Sequence, residues 1–177
     1  MNVTEAIKSR RSIRTFTGAS VSDEQLQSIM LAAQAAPVGM GAYKNVNLTV
    51  IKNKALIDEI DKATQDSLNN HDRSFLYGAP TLILVSVKLA PAPYCNVGYS
   101  NAACIVENMA LEAVELGVGA CHIWGAVMAI AENKELVAKF SLPEGFSPVC
   151  AIAVGETEEK YEEKEIPMDR IKVNVIE

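Results

Sequence analysis

The chain has 177 residues, 49% of them hydrophobic, with 16 lysines and arginines against 22 acidic residues and a formal net charge of −6. That length suits one domain with a sizeable core, and an acidic balance without a basic stripe argues against a nucleic-acid partner. A phosphate-bearing small ligand stays open, because it needs only a local pocket of cations. The opening MNVTEAIKSRRSIR has no apolar run behind its basic residues and does not read as a secretory signal. Residues 116–131 are uncharged but too few and too glycine-rich for a membrane span, so no membrane partner is expected. Cys95, Cys104, Cys121 and Cys150 form no CxxC pair and sit in apolar settings. They read as reduced, buried thiols, and the expected location is cytoplasmic.

In chain order, residues 4–9 suggest a short helix leading into a basic segment. Ser22 with Gln25 predicts a capping box, and Leu26, Ile29, Met30 and Ala33 continue a helix that Pro37 stops. Residues 46–52 read as a strand, and Asn53 caps an amphipathic helix to about Leu68. The unbroken TLILVSV at 81–87 predicts a central strand buried on both faces. A long helix follows over 97–116, with Gly117 as its C-cap. It is apolar around most of its girth, which requires cover from a large core or from a second subunit. A further helix is expected near 131–140, then a strand over 149–154. Residues 156–165 read as a charged linker, and 171–176 alternate like an extended edge strand.

Three segments stand out chemically. In RRSIRTF, an extended backbone would project Arg10, Ser12 and Arg14 to one side, where guanidinium forks and a hydroxyl suit phosphate oxygens. The same composition also suits a solvated basic turn. In APVGMGAYKN, Gly39 and Gly41 would let backbone approach a flat ligand, or simply form a loop. GVGACHIWGA is not a dinucleotide fingerprint, because its glycines follow a helix and the third is missing. It reads as a helix cap feeding a short extended stretch with Trp124 and Gly125 at the exit; Trp124 alone suits core packing as well as a ligand shelf. Cys121 and His122 are neighbours on opposite faces of an extended chain and make a poor nucleophile–base pair. No metal site is expected, since His71 and His122 are far apart and the cysteines lack ligand spacing.

Taken in order, SRRSIRTF, Val21, Leu26, Ala35-Ala36-Pro37, Gly78-Ala79-Pro80, NMALEAVELGVGA and HIWG resemble the nitroreductase family of FMN enzymes across nearly the whole chain. The resemblance implies one α+β domain over 1–177, with a mostly antiparallel sheet between helix layers. It also implies a homodimer that buries the long helix and exchanges C-terminal tails over 156–177. Arg10, Arg11, Ser12 and Arg14 would hold the ribityl phosphate and pyrimidine side of FMN, with a cation there stabilising the reduced ring. Pro37, Val38, Gly39, Met40 and Gly41 would approach the ring, and Ile123, Trp124 and Gly125 would bring backbone to its N5 edge. Arg170 falls near the family's C-terminal phosphate-binding position, and Tyr43 would line the substrate side. Family members commonly carry Ser, Asn and Gln where Val38, Gly41 and Tyr43 stand, so backbone donors around 39–41 would replace side chains here.

The implied activity is ping-pong passage of hydride from NAD(P)H through flavin N5 to a small electrophile such as a nitroaromatic or quinone. The alternatives are a flavin-binding or sequestering protein without efficient NAD(P)H turnover, and a domain that binds no flavin and serves only interactions. Steady-state NAD(P)H oxidation and FMN retention separate the three.

Overall fold

The computed structural model describes residues 1–177. Helix α1 (Val3–Ser9) opens with a capping box between Asn2 and Glu5, and α2 (Asp23–Gln34) with the expected one between Ser22 and Gln25. Two short 3₁₀ turns, Gly39–Gly41 and Tyr43–Asn45, lead into β1 (Val46–Ile51). Then come α3 (Lys54–Ser67), capped by Asn53, β2 (Thr81–Lys88), α4 (Cys95–Leu116) and β3 (Gly119–Ile123). The chain continues through α5 (Gly125–Glu132) and α6 (Lys134–Lys139) to β4 (Phe146–Gly155).

The four strands form one sheet in the order β1-β2-β4-β3, and every neighbouring pair is antiparallel. Alternation along β2 sends Ile83, Val85 and Val87 to the face covered by α2 and α4. Leu82 and Leu84 go to the face covered by α3, α5 and α6. Both faces are therefore apolar, which is why the strand reads as an unbroken hydrophobic run. The β2–β4 register slips between Val85 and Ser86, so that Val85 faces Cys150 and Ser86 faces Pro148. Pro148 has no N–H for the ladder, and a bulge is where an interior strand tolerates it. Beside it the buried Ser86 hydroxyl is left without a partner.

Helix α4 ends as its sequence predicts. Gly117 is left-handed at φ 69, with Gly117 N–H on the Val114 carbonyl and Val118 N–H on the Ala113 carbonyl, a Schellman cap. One face of α4 is buried through Ala102, Ile105, Val106, Met109, Ala110, Ala113 and Val114, while Val97, Tyr99, Ala103 and Cys104 lie exposed.

Of the four cysteines expected to be buried only Cys121 is; Cys95 and Cys150 are half-buried and Cys104 is exposed. Two further expectations need correcting. The helix placed near 131–140 is two helices, of which the first starts earlier. Gly125 is the first residue of α5, and Asn133 breaks the run, its side chain accepting from the amides of Glu135 and Leu136 to cap α6. Residues 171–176 form no strand in the isolated chain: Ile171, Val173, Val175 and Ile176 are exposed. A lone alternating segment has no ladder to join without a neighbouring edge. The start of the charged linker, in contrast, is strapped to its own chain. Thr17 N–H donates to the Glu156 carbonyl, Glu156 N–H to that of Ala19, and the Tyr161 hydroxyl to that of Val118 at 2.9 Å. Burial pushes the Tyr161 phenol up to about 12, so it remains a donor at neutral pH.

At the end of β4, a Cβ on Gly155 would stand 2.5 Å from Pro80 Cδ and 3.1 Å from Phe16 Cδ1. Gly155→Ala is expected to lower stability by about 1–3 kcal/mol through overpacking. Urea unfolding with an unchanged slope but an unmoved midpoint would show that Pro80 gives way freely.

Candidate cofactor site

The basic segment leaves α1 at Arg10 and runs along the free edge of β3, held there by Ile13 N–H on the Ala120 carbonyl at 2.9 Å. Ile13 is wholly buried, so the residues around it have a fixed phase. Arg10 Nε lies 3.1 Å from Glu107 Oε1 on α4, and the other carboxylate oxygen lies 3.2 Å from His122 Nε2. The His122 hydrogen bond and the Arg10 charge hold Glu107 below the usual carboxylate range, against its desolvation. Arg10 commits only Nε to Glu107, which leaves its two terminal nitrogens for an anion.

Ser12 and Arg14 face the neighbouring residue of β3, Cys121. The Arg14 guanidinium stands 5.7 Å from the centre of the Tyr77 ring and pairs with no carboxylate. Tyr77, and after it Cys121, hold its proton more firmly than usual. Burial pushes the Cys121 thiol up, although Arg14 pulls the other way, so it is no thiolate nucleophile at neutral pH. Cys121 packs on the α3–α5 side of the sheet while His122 reaches Glu107, which disposes of a Cys–His pair.

Arg11 points the other way. It bridges to Glu159 at 3.0 Å and donates to the Lys160 carbonyl at 2.8 Å, so it holds the tail strap. Arg170 lies exposed in the tail, with only its backbone bonded, to the Pro167 carbonyl, and the isolated chain does not bring it to the basic edge.

Beyond β3, Ile123 is buried and can offer only backbone. Trp124 is 61% exposed, so the core-packing alternative fails. Gly125 sits against the end of α3, where a Cβ would make ordinary contact with Leu68 Cδ1 at 3.4 Å and Thr64 Cγ2 at 3.7 Å. The amides of Gly125 and Ala126 open α5 and have no acceptor within it.

The 37–43 segment sits elsewhere. Val38 is buried in the α2–α4 core, and Pro37 and Gly41 are exposed. Gly39 N–H donates to Asn101 Oδ1 at 3.0 Å, and Gly41 N–H to the Val38 carbonyl at 2.9 Å. Of the backbone donors at 39–41, only Met40 N–H is free, and Met40 is 97% exposed in a left-handed conformation at φ 58. Tyr43 is half exposed, its hydroxyl 3.5 Å from the Ala36 carbonyl. Asn101 and Glu107, the contacts of the two segments on α4, are about 9 Å apart along the axis and about 120° round it. One chain therefore does not close the two segments over one ligand. Glu107, His122, Tyr77 and Asn101 were not singled out by the sequence as site residues; Glu107 shares α4 with Glu112 and Glu115, so no local signal set it apart.

The separate cavity of about 300 Å³ beside α3 is no rival. Its Lys54 pairs with Asp58, its Lys52 with Asp23, and Asp61 accepts from the amides of Phe75 and Leu76.

Residues 7–156 match the model of the nitroreductase family. A protein of Methanothermobacter thermautotrophicus, provisionally named an NADH dehydrogenase/NAD(P)H nitroreductase, is 27% identical over 156 residues, covering 88% of this chain and 77% of its own. Among solved structures, a nitroreductase with bound FMN from Desulfitobacterium hafniense superposes with a TM-score of 0.84 at 25% identity, covering 99% of this chain and all of the other. An FMN-bound nitroreductase from Bacteroides fragilis gives 0.81 at 25% identity, with 99% of this chain covered and again all of the other. With the antiparallel sheet between helix layers and the basic edge along β3, these matches place the chain in the nitroreductase family.

Proposed function

We propose that the chain, one domain over 1–177, is an FMN-dependent NAD(P)H oxidoreductase that works as a homodimer and reduces a small electrophilic acceptor. The observation that carries this reading is the edge of β3. It sets Arg14, which has no carboxylate partner, and the free nitrogens of Arg10 on a strand that runs directly into the exposed Trp124 and the open amides of α5. A flavin mononucleotide asks for those groups: cations and a hydroxyl for its phosphate, a flat apolar surface, and backbone donors at the ring edge. The residues present fit it. FMN, when bound, supplies the hydride chemistry.

In this reading Arg10, Ser12 and Arg14 bind the phosphate and balance negative charge on the pyrimidine side. Glu107 and His122 fix the angle of Arg10, and the Gly125 region orients the ring. The Met40 amide, Pro37 and the surrounding backbone reach the same ring from the partner subunit, with Val38 and Gly39 holding that loop and Tyr43 on the acceptor side. The separation of the two segments on α4, its bare outer face and the exposed apolar tail support the dimer. Arg11 acts indirectly by securing the tail, and Arg170 reaches the phosphate only across the dimer.

The first test is the visible spectrum of the FMN-loaded protein during anaerobic addition of NADPH and, separately, NADH. Bleaching of the flavin band at turnover speed is expected with at least one. A bound flavin that neither bleaches would leave a flavin-binding protein. Arg14→Ala should weaken FMN binding roughly tenfold or more, the loss expected for a charge-assisted hydrogen bond; unchanged quenching of flavin fluorescence would remove Arg14 from the site. Equilibrium sedimentation should give about twice the 19.1 kDa chain mass. A chain ended after Lys164 should dissociate more readily, and a dimer indifferent to that truncation would mean that the tail does not hold it.

A further inference from the structure

The loop between α3 and β2 holds an aromatic side chain where its own turn disfavours one. The amides of Phe75 and Leu76 donate to Asp61 Oδ1 on α3 at 2.7 and 2.9 Å, and Leu76 and Ala79 are buried, so the loop is anchored on both sides. Between these anchors Tyr77 and Gly78 are both left-handed, at φ 57 and 72, and Ala79 N–H closes on the Leu76 carbonyl at 3.0 Å. That is the pattern of a type I′ turn, whose first central position favours Asn, Asp or Gly. A tyrosine there is strained, and strain of this kind persists only where the surroundings hold it, most often beside a functional site.

The turn delivers the Tyr77 ring, half-buried against the α3–α5 core, to a place 5.7 Å from Arg14 Cζ. The three arginines of the basic segment are held in different ways. Arg10 and Arg11 meet carboxylates, Glu107 and Glu159, whereas Arg14 is exposed, meets none and has the ring. A carboxylate would neutralise the guanidinium and occupy its N–H groups. An aromatic face attracts the cation through its quadrupole and leaves charge and donors available. An arginine also loses rotamer freedom when a ligand fixes it, and a neighbour that confines it beforehand removes part of that loss.

We propose that Tyr77 is a positioning residue: its ring confines the Arg14 guanidinium at the edge of β3 and presents it, still charged and with its donors free, to bound FMN. The inference rests on the reading of Arg14 as an FMN ligand. A cation so held also stabilises negative charge on the reduced ring, so its release lowers the flavin's midpoint potential.

The test compares Tyr77→Leu, which removes the ring, with Tyr77→Phe, which keeps it; neither adds a branch at Cβ, so both meet the strain that Tyr77 already bears. FMN titration followed by flavin fluorescence should show Tyr77→Leu binding about fourfold more weakly, the loss expected for an exposed cation–ring contact, and Tyr77→Phe within about twofold of the unaltered chain. Tyr77→Asn, which the turn favours, removes the ring while relieving the strain, and should weaken binding as much as Tyr77→Leu. The midpoint potential of bound FMN should fall in Tyr77→Leu and hold in Tyr77→Phe. In an Arg14→Ala background Tyr77→Leu should have no further effect on either quantity. Unchanged affinity in both ring-less variants, equal losses in Tyr77→Leu and Tyr77→Phe, or a Tyr77→Leu loss that persists beside Arg14→Ala would overturn the inference. Weaker FMN binding in Tyr77→Leu with no bleaching by NAD(P)H in any of these proteins would support it and count against the oxidoreductase reading.

Discussion

The arrangement of cations in this protein hangs on one backbone hydrogen bond and the side chain beside it. Ile13 N–H meets the Ala120 carbonyl, and the Ile13 side chain disappears into the core. Burial of an isoleucine contributes about 1.5–3 kcal/mol and the bond about 1 kcal/mol more, enough to fix the register of a segment that forms no strand of its own. With Ile13 inward, Arg10 meets Glu107 while Ser12 and Arg14 lie beside Cys121. Arg11 is sent to the tail and makes the strap possible. A slip of one residue would put Arg14 where Ile13 now sits and bury an unpaired guanidinium, at a cost far above what the segment gains.

Helix α4 is the second organiser, and its polar residues do most of that work. Glu112 receives the Ser28 hydroxyl, and the Asn108 amide donates to the Ala32 carbonyl, so α2 is fixed on the sheet by named bonds as well as by apolar packing. Asn101 holds the Gly39 loop, and Glu107 holds Arg10 and His122. The helix that sets both halves of the proposed site also presents the bare face proposed for the dimer. Docking of a partner and geometry of the site would then be properties of one rigid element.

Local signals carried much of the fold. The Ser22–Gln25 box, the Asn53 cap, the apolar run of β2 and the Gly117 terminus depend on residues within a turn or two of one another, and all four are found. What the sequence hid depends on distant partners or on none. Asn133 resembles any polar residue in a helical run until its side chain is seen accepting from the amides of Glu135 and Leu136, two and three residues along. The alternation at 171–176 indicates strand propensity, but propensity without an edge leaves the segment unpaired. Arg10, Ser12 and Arg14 were legible as an alternating trio. Their partners Glu107, His122 and Tyr77 were not, because no local pattern reports a contact made across the chain. Trp124 was ambiguous for the opposite reason: composition cannot say whether a single aromatic is covered.

Charge distribution bears on the basic edge of β3. The chain is acidic overall, and some of its cations are answered: Lys8 by Glu163, Arg11 by Glu159, Lys52 by Asp23, Lys54 by Asp58 and Lys139 by Glu59. Arg14 at the β3 edge is among those that are not, and it stands beside the Tyr77 ring. In an acidic protein the general field repels anions, so a local unanswered cation must recognise its ligand at short range. Such a site discriminates by what accompanies the charge: a flat apolar body that can lie against Trp124 meets both requirements, while a bare anion meets only one.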